Sequence, residues 1–292
     1  MTNKTTIETK PANIPSCLDG PVTLRTIRKW SNANSKWACL TCYDATTARW
    51  MAEAGLPTML VGDTAAEMIL GFDSTIHAPL DFLITLTAGV KRGAQDVFVM
   101  GDMPFLSYQV DDASAITNAG RFMTEGNADA VKLEVDGKYI DRFAAICNAG
   151  IAAVAHLGSK PQQAKQTGGY TTAGRSAKTA TTIVQDAIAL EQAGASMLLL
   201  EAVPEEVSKA VVRATSIPVI GCGAGTTCHG QVVVMQDLAG LTKWQPAFAK
   251  PTASLGDEYG MVAKNWMSNV FNDSLGEHPY AMKDGESEKF QS

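Results

Sequence analysis

Residues 127–158 read NADAVKLEVDGKYIDRFAAICNAGIAAVAHLG. The apolar run 128–134 (ADAVKLE) is followed at 139–149 by apolar residues at helical spacing, and then by a second apolar run at 151–156 (IAAVAH). Short, nearly continuous apolar runs suit strands covered on both faces, so this stretch reads as strand, helix, strand of a parallel sheet. The unit recurs in both directions. Further runs lie at 37–43 (WACLTCY), 58–63 (TMLVGD), 97–102 (VFVMGD), 196–201 (SMLLLE), 217–221 (IPVIG) and 231–237 (QVVVMQD), which makes eight. Ala-rich helical segments lie between them at 45–54, 80–92, 113–125, 179–193 and 204–214, with Asp44 as N-cap and Gly55 as C-cap of the first.

Eight strands alternating with helices, with no break in composition, predict an α/β fold of the (β/α)8 TIM-barrel type rather than an open doubly wound sheet. A leading helix is expected at 22–30 and a late one near 258–271. The segment 222–230 is too short for a crossover helix and must be a tight loop. The expected organisation is a polar N-terminal tail over 1–21, a barrel catalytic domain over 22–272 and a polar C-terminal tail over 273–292.

The 292 residues are 46% hydrophobic and 18% charged, an ordinary globular balance. A net charge of −6 with no run of Lys and Arg gives no support to nucleic-acid binding. No apolar stretch reaches the roughly 18 to 20 residues of a membrane span. The N-terminal MTNKTTIETKPANIPSCLDG has no apolar core and no Arg, unlike a secretory or transit signal, so a cytoplasmic protein is expected. Of the six cysteines, Cys39 and Cys42 share a C-x-x-C spacing inside an apolar run, where their side chains fall on opposite strand faces. Reduced, mostly buried thiols are expected.

Five of the runs end in Asp63, Asp102, Glu134, His156 and Glu201. On a barrel the strand C-termini converge on one face, where active sites are built. Asp63, Asp102 and Glu134 lie about one β/α unit apart, so three hard oxygen donors from successive strands suit Mg²⁺ or a similar ion. A single acid after a strand is more often a turn former or an N-cap. The three together weigh differently, because Lys132 and Glu134 share a face of one apolar strand, which is costly unless that face lines a polar site.

Glu201 closes MLLLE; desolvation there would make it a general base, and a surface cap is an equal alternative. His156 suits an oxyanion or carboxylate, although a lone His at a strand end is more often structural. His77, His229 and His278 indicate no site. The Gly-rich loop 168–175 has the character of a lid. The loop GCGAG (221–225) is a weak dinucleotide signal without a helix of normal length after it.

In order along the chain stand VGDT (61–64), DMPF (102–105), VKLE (131–134), HLG (156–158), GGY (168–170), LEAVP (200–204), IPVIGCGAG (217–225) and GQ (230–231). Together they resemble the ketopantoate hydroxymethyltransferase (3-methyl-2-oxobutanoate hydroxymethyltransferase) family, over about residues 23–270. The resemblance implies a (β/α)8 barrel of the phosphoenolpyruvate mutase/isocitrate lyase superfamily that forms homo-oligomers, often decamers. It implies Mg²⁺ as cofactor, 5,10-methylenetetrahydrofolate as co-substrate and a small 2-oxo acid as substrate.

By that resemblance Asp63, Asp102 and Glu134 bind the metal, and Asp63, Thr64, Asp102, Lys132 and His156 line the substrate. Glu201 is the catalytic base. The implied reaction passes through a Mg-stabilised enolate of 3-methyl-2-oxobutanoate to 2-dehydropantoate, in pantothenate and coenzyme A biosynthesis. The chain departs from the family pattern at Ala66 and Glu67 in GDTAAEM (62–68), at Thr171 after GGY, at His229 before GQ and at Ala247 in PAF. These positions fall in loops that shape the pocket. They motivate two alternatives: a Mg-dependent lyase or aldolase acting on another 2-oxo acid, and a non-catalytic oligomeric scaffold. The retained set of costly charges argues against the scaffold.

Overall fold

The computed structural model describes residues 14–291. Strands β1 (Trp37–Thr41), β2 (Thr58–Val61), β3 (Phe98–Asp102), β4 (Ala130–Glu134), β5 (Ala153–Gly158), β6 (Met197–Glu201), β7 (Val219–Cys222) and β8 (Gly230–Val233) pair in parallel, in chain order. They close into a barrel through β8 and β1. Each of the eight expected runs overlaps one of these strands; β5 and β7 extend past the expected ends, to Gly158 and Cys222, and β8 begins one residue earlier, at Gly230. The last is the most shortened, because Met235 opens a helical turn.

The helices are α1 (Leu24–Asn32), α2 (Ala45–Glu53), α3 (Ala65–Met68), α4 (Leu80–Gly93), α5 (Asp112–Thr124), α6 (Ile140–Asn148), α7 (Ala164–Thr167), α8 (Ala177–Gln192), α9 (Glu205–Ala214), α10 (Met235–Leu238), α11 (Leu255–Phe271) and α12 (Glu286–Gln291). Asp44 caps α2 by accepting from the Thr47 N–H at 2.8 Å, and Gly55 lies one residue past the C-cap Ala54 at φ +89°. Glycine adopts that left-handed conformation without strain. Thr23 and Ser176 form capping boxes that start α1 and α8.

Phe98, Phe122, Phe143, Leu133, Ile146 and Leu190 are fully buried between the strands and their helices. Each such side chain contributes about 1.5–3 kcal/mol by leaving water. Closure depends on Gly230, paired with Trp37. A Cβ there would lie 2.6 Å from the Trp37 ring, so only glycine admits the indole at the β8–β1 seam.

The β7–β8 connection contains no helix, as its length requires. Its carbonyls find other partners: the Lys36 ammonium donates to Thr227 O at 2.9 Å and Cys228 O at 2.7 Å, and the Ser208 hydroxyl donates to Ala224 O at 2.7 Å. Cys39, Cys42, Cys147 and Cys228 are free thiols, and burial pushes Cys39 up to about 12 and Cys42 up to about 11.

The expected N-terminal tail falls outside the described residues up to residue 13. Beyond that it is anchored rather than loose. Ser16 caps a 3-10 turn at Cys17–Asp19, Cys17 is buried, and the Val22 N–H donates to Asp96 O at 2.8 Å. The expected polar C-terminal tail contains α12, where acidic Glu286 in the first turn pairs with Lys289 at 2.8 Å.

The chain divides into two compact units, Met1–Met235 and Gln236–Ser292. The first contains all eight strands. In the second, Thr252 N and Leu255 N donate to Leu238 O and Ala239 O at 2.8 and 2.9 Å, and α11 has no buried residue.

Candidate active site

Parallel pairing sets the C-terminal strand ends on one rim. Asp102 on β3 is paired with Lys132 on β4, Glu134 with His156 on β5, and Gly158 with Glu201 on β6. Asp63 follows β2 by two residues, and its N–H donates to Asp102 Oδ2 at 3.1 Å. The group is withdrawn from water: Asp63 is 3% exposed, Asp102 1%, Lys132 4%, Glu134 2% and His156 1%.

The Lys132 ammonium lies 2.8 Å from Asp102 Oδ1 and 3.1 Å from His156 Nδ1. An ammonium has only donors, so Nδ1 must accept and the imidazole proton sits on Nε2. That Nε2 faces Glu201 Oε2 at 3.4 Å. A continuous line Asp102–Lys132–His156–Glu201 therefore crosses four strands.

Backbone strain and a missing side chain shape the far end of this line. Ala202, directly after Glu201, has φ +46°, a left-handed conformation that alanine rarely adopts. Its N–H donates to Cys222 O at 2.9 Å, and its carbonyl accepts from Ala173 N at 3.0 Å. A Cβ on Gly158 would lie 2.3 Å from the Glu201 carbonyl oxygen, so only glycine lets the two backbones come this close.

Charge in this buried space is strongly perturbed. Burial, followed by repulsion from Asp102, raises the Asp63 carboxyl well above its usual range; Lys132 and Gln162 offset only part of this. Burial and then the Asp63 charge do the same to Glu134. Burial alone would lower the Lys132 pKa, but Asp102, Asp63 and Glu134 outweigh it and keep the ammonium charged. His156 is held neutral, by burial first and Lys132 second. Desolvation pushes Glu201 up to about 7, although its side chain retains 22% exposure. A carboxylate poised near neutrality is a usable general base.

A family model described as ketopantoate hydroxymethyltransferase matches residues 21–278. The chain belongs to this family. A relative in Mycobacterium ulcerans, named 3-methyl-2-oxobutanoate hydroxymethyltransferase, is 42% identical over 260 residues, covering 88% of this chain and 87% of that protein. Among solved structures, the chain is similar to 2,3-dimethylmalate lyase, a phosphoenolpyruvate mutase/isocitrate lyase superfamily member (TM-score 0.57, 15% identity, covering 92% of this chain and 96% of that one). It is also similar to phosphonopyruvate hydrolase in complex with oxalate and Mg²⁺ (TM-score 0.59, 10% identity, covering 92% and 97%). At these identities the structural likeness shows the barrel fold alone.

The donor set of this ketopantoate hydroxymethyltransferase family member fits a hard divalent cation in kind. Three buried carboxylates share one ammonium, and the surplus negative charge adds to burial in lifting Asp63 and Glu134. Asp102 Oδ1, although ion-paired with Lys132, has no aligned hydrogen bond among the described residues. Also among the described residues, no three His, Cys, Asp or Glu side chains form a ready-made cage. The carboxylates are linked instead through Lys132 and through Gln162, whose Nε2 donates to Asp63 Oδ2 at 3.0 Å and whose N–H donates to Glu134 at 3.1 Å.

Sequence reasoning missed Gln162, along with Tyr43 and Tyr108. Tyr43 shares a 2.6 Å hydrogen bond with the Thr64 hydroxyl, and the Tyr108 hydroxyl donates to Glu134 O and Gln162 Oε1, both at 2.9 Å. A neutral polar residue in a loop or past a strand end shows no periodicity, and nothing local marks it.

The departures from the family pattern separate in space. Glu67 on α3 accepts from the Tyr170 hydroxyl at 3.2 Å, and the Asp63 and Glu201 charges help to raise that phenol, after burial and Glu67. The loop around Tyr170 is thus within electrostatic reach of the site. Ala66 is buried and Thr171 is exposed. The His229 Nδ1 accepts from Val219 N at 3.0 Å, a structural tie between β7 and the turn before β8. Ala247 lies in the unit Gln236–Ser292.

Proposed function

We propose that the protein transfers a hydroxymethyl group from 5,10-methylenetetrahydrofolate to 3-methyl-2-oxobutanoate, forming 2-dehydropantoate in pantothenate and coenzyme A biosynthesis. The observation that carries this reading is Glu201, lifted to about 7, with its Oε2 3.4 Å from the Nε2 of a neutral His156 at the end of a buried charge line. Asp63, Asp102 and Glu134 are the residues that would hold Mg²⁺. When bound, this ion supplies Lewis-acid polarisation of the 2-oxo acid.

The chain's own groups do the rest. Glu201 accepts the C3 proton, and the electron pair of that C–H bond is delocalised into the adjacent carbonyl. Lys132 and His156 balance charge around the substrate carboxylate, and the His156 Nε2 lies 3.4 Å from Glu201 Oε2. Tyr43 orients the Thr64 hydroxyl toward the substrate. The C3 carbon then bonds to the folate-borne methylene, and water completes the hydroxymethyl group as tetrahydrofolate leaves.

The catalytic region is taken as 22–272 between tails at 1–21 and 273–292, in keeping with the family match over residues 21–278. We place the protein in the cytoplasm; among the described residues no helix is long and apolar enough to cross a membrane. Assembly into a homo-oligomer is supported by α11, which exposes Tyr259, Val262, Trp266, Met267, Val270 and Phe271.

The test is incubation with 3-methyl-2-oxobutanoate, Mg²⁺ and methylenetetrahydrofolate, with ketopantoate quantified by mass spectrometry. Ketopantoate that appears only with folate present is the expected result. Turnover of the oxo acid to another product without folate would replace this reading with a lyase or aldolase.

A further inference from the structure

We propose that Gln162 is the positioning residue of the cation site: its two amide groups set Asp63 and Glu134 for a divalent ion. The inference rests on the metal assignment above and adds a residue to it.

Gln162 is 4% exposed and lies in the 3-10 turn Pro161–Gln163 after β5. Its backbone N–H and both polar atoms of its side chain are engaged. Its backbone N–H reaches Glu134 Oε2 at 3.1 Å and Oε1 at 3.3 Å. Its Nε2 donates to Asp63 Oδ2 and to Met103 O, each at 3.0 Å. Its Oε1 accepts from the Tyr108 hydroxyl at 2.9 Å and from Gln109 Nε2 at 3.3 Å.

This pattern fixes which way the amide points. Turned over, the amide would press its oxygen against the Met103 carbonyl and the Asp63 carboxylate while its N–H₂ faced the Gln109 donor. One residue therefore ties together positions that follow or end β2, β3 and β4: its side chain holds Asp63 and the Met103 carbonyl, and its backbone N–H holds Glu134. It holds Asp63 and Glu134, two carboxylates that repel one another, in fixed register.

The chemistry of the residue matters as much as its reach. An amide donates hydrogen bonds without neutralising charge, so the negative surplus stays available for a cation. A lysine at this place would cancel part of that surplus and compete with the ion. A leucine would keep the backbone N–H to Glu134 but leave the buried Asp63 carboxylate and the Met103 carbonyl without their side-chain donor. Groups that hydrogen-bond to metal-ligating carboxylates typically change metal affinity about 10–100-fold when removed.

The experiment is calorimetric titration of the full chain with MgCl₂, without substrate, for wild type, Gln162→Leu and Tyr108→Phe. The metal-free thermal midpoint of each is recorded alongside. The expected result is a Kd for Mg²⁺ raised about 10–100-fold in Gln162→Leu. A smaller increase of the same sign is expected in Tyr108→Phe, which keeps the ring but loses the hydroxyl that orients the amide.

A Gln162→Leu protein that is less heat-stable but binds Mg²⁺ with wild-type affinity has lost only packing, and overturns the inference while the metal assignment stands. A wild type that takes up no Mg²⁺ overturns both. Should Gln162→Leu fail to fold, wild-type affinity in Tyr108→Phe overturns the inference by itself.

Discussion

Asp63, Asp102, Lys132, Glu134 and His156 are each less than 5% exposed, whereas Tyr170, in the loop whose hydroxyl meets Glu67, is 55% exposed. The first group is borne on strands or follows one by two residues. There each position is set by ladder hydrogen bonds on both sides and by helices packed outside. The second belongs to connections whose backbone is constrained only at a few points. The rim retains every charged residue that the family resemblance assigns to chemistry, while Glu67, Thr171 and Ala247 depart from the family pattern off the strands. A substitution on the rim disturbs several buried charges at once; a substitution in a loop has few partners to disturb. Retained charged residues and altered loop residues therefore stand side by side in one chain.

The sharpest way to break this contrast is Glu201→Gln. If the rim carries the chemistry, solvent exchange of the substrate C3 proton, followed by NMR, should fall about 10²–10⁴-fold, the usual contribution of a positioned base. Exchange at wild-type rate would remove Glu201 from the mechanism.

A smaller effect comes with pH. Glu201 is lifted by burial from its ordinary 4.5 to about 7 in the folded protein. As a base it works deprotonated, so log kcat/KM is expected to rise with unit slope toward pH 7 and level above it. Stability runs the other way. A carboxyl whose folded pKa is raised contributes stability that is fully present below about 4.5 and lost as pH rises through about 7. Calorimetric unfolding should therefore show a decreasing midpoint over the interval in which activity rises. A midpoint that climbs across it would mean that other groups outweigh Glu201.

The smallest effect is expected in the loop. Tyr170→Phe removes one half-exposed hydrogen bond, contributing about 0.5–1.5 kcal/mol. KM for the folate or the oxo acid should change a few-fold, with the C3 exchange rate unmoved. A collapse of exchange in this variant would show that the loop is part of the chemistry and erase the distinction between the two regions.

Much of the rim was legible before any coordinates. A strand-end position in a β/α repeat determines height and face, so Asp63, Asp102, Lys132, Glu134, His156 and Glu201 could be placed on one face from spacing alone. The one-turn helices α3 and α7 were not, since four residues carry no measurable periodicity. The anchoring of Cys17 was also hidden, because it depends on what lies beneath a polar segment. Gln162 is the most instructive omission. A glutamine in a polar connection has no local signature, and its hydrogen bond to Asp63 spans 99 residues of chain.

What the amino-acid order determined by itself is local: the alternation of apolar runs with helical segments, the caps that start α1, α2 and α8, and the carboxylates at the strand ends. Near neighbours in the chain suffice for these, since strand and helix periodicity arise within a few residues. What only the folded barrel decided is the electrostatic state of the site. Whether Glu201 is lifted to about 7, whether His156 is neutral, and which way the Gln162 amide points depend on groups brought together from distant parts of the chain. Burial and charge act through space, and that space exists only once β8 has closed on β1.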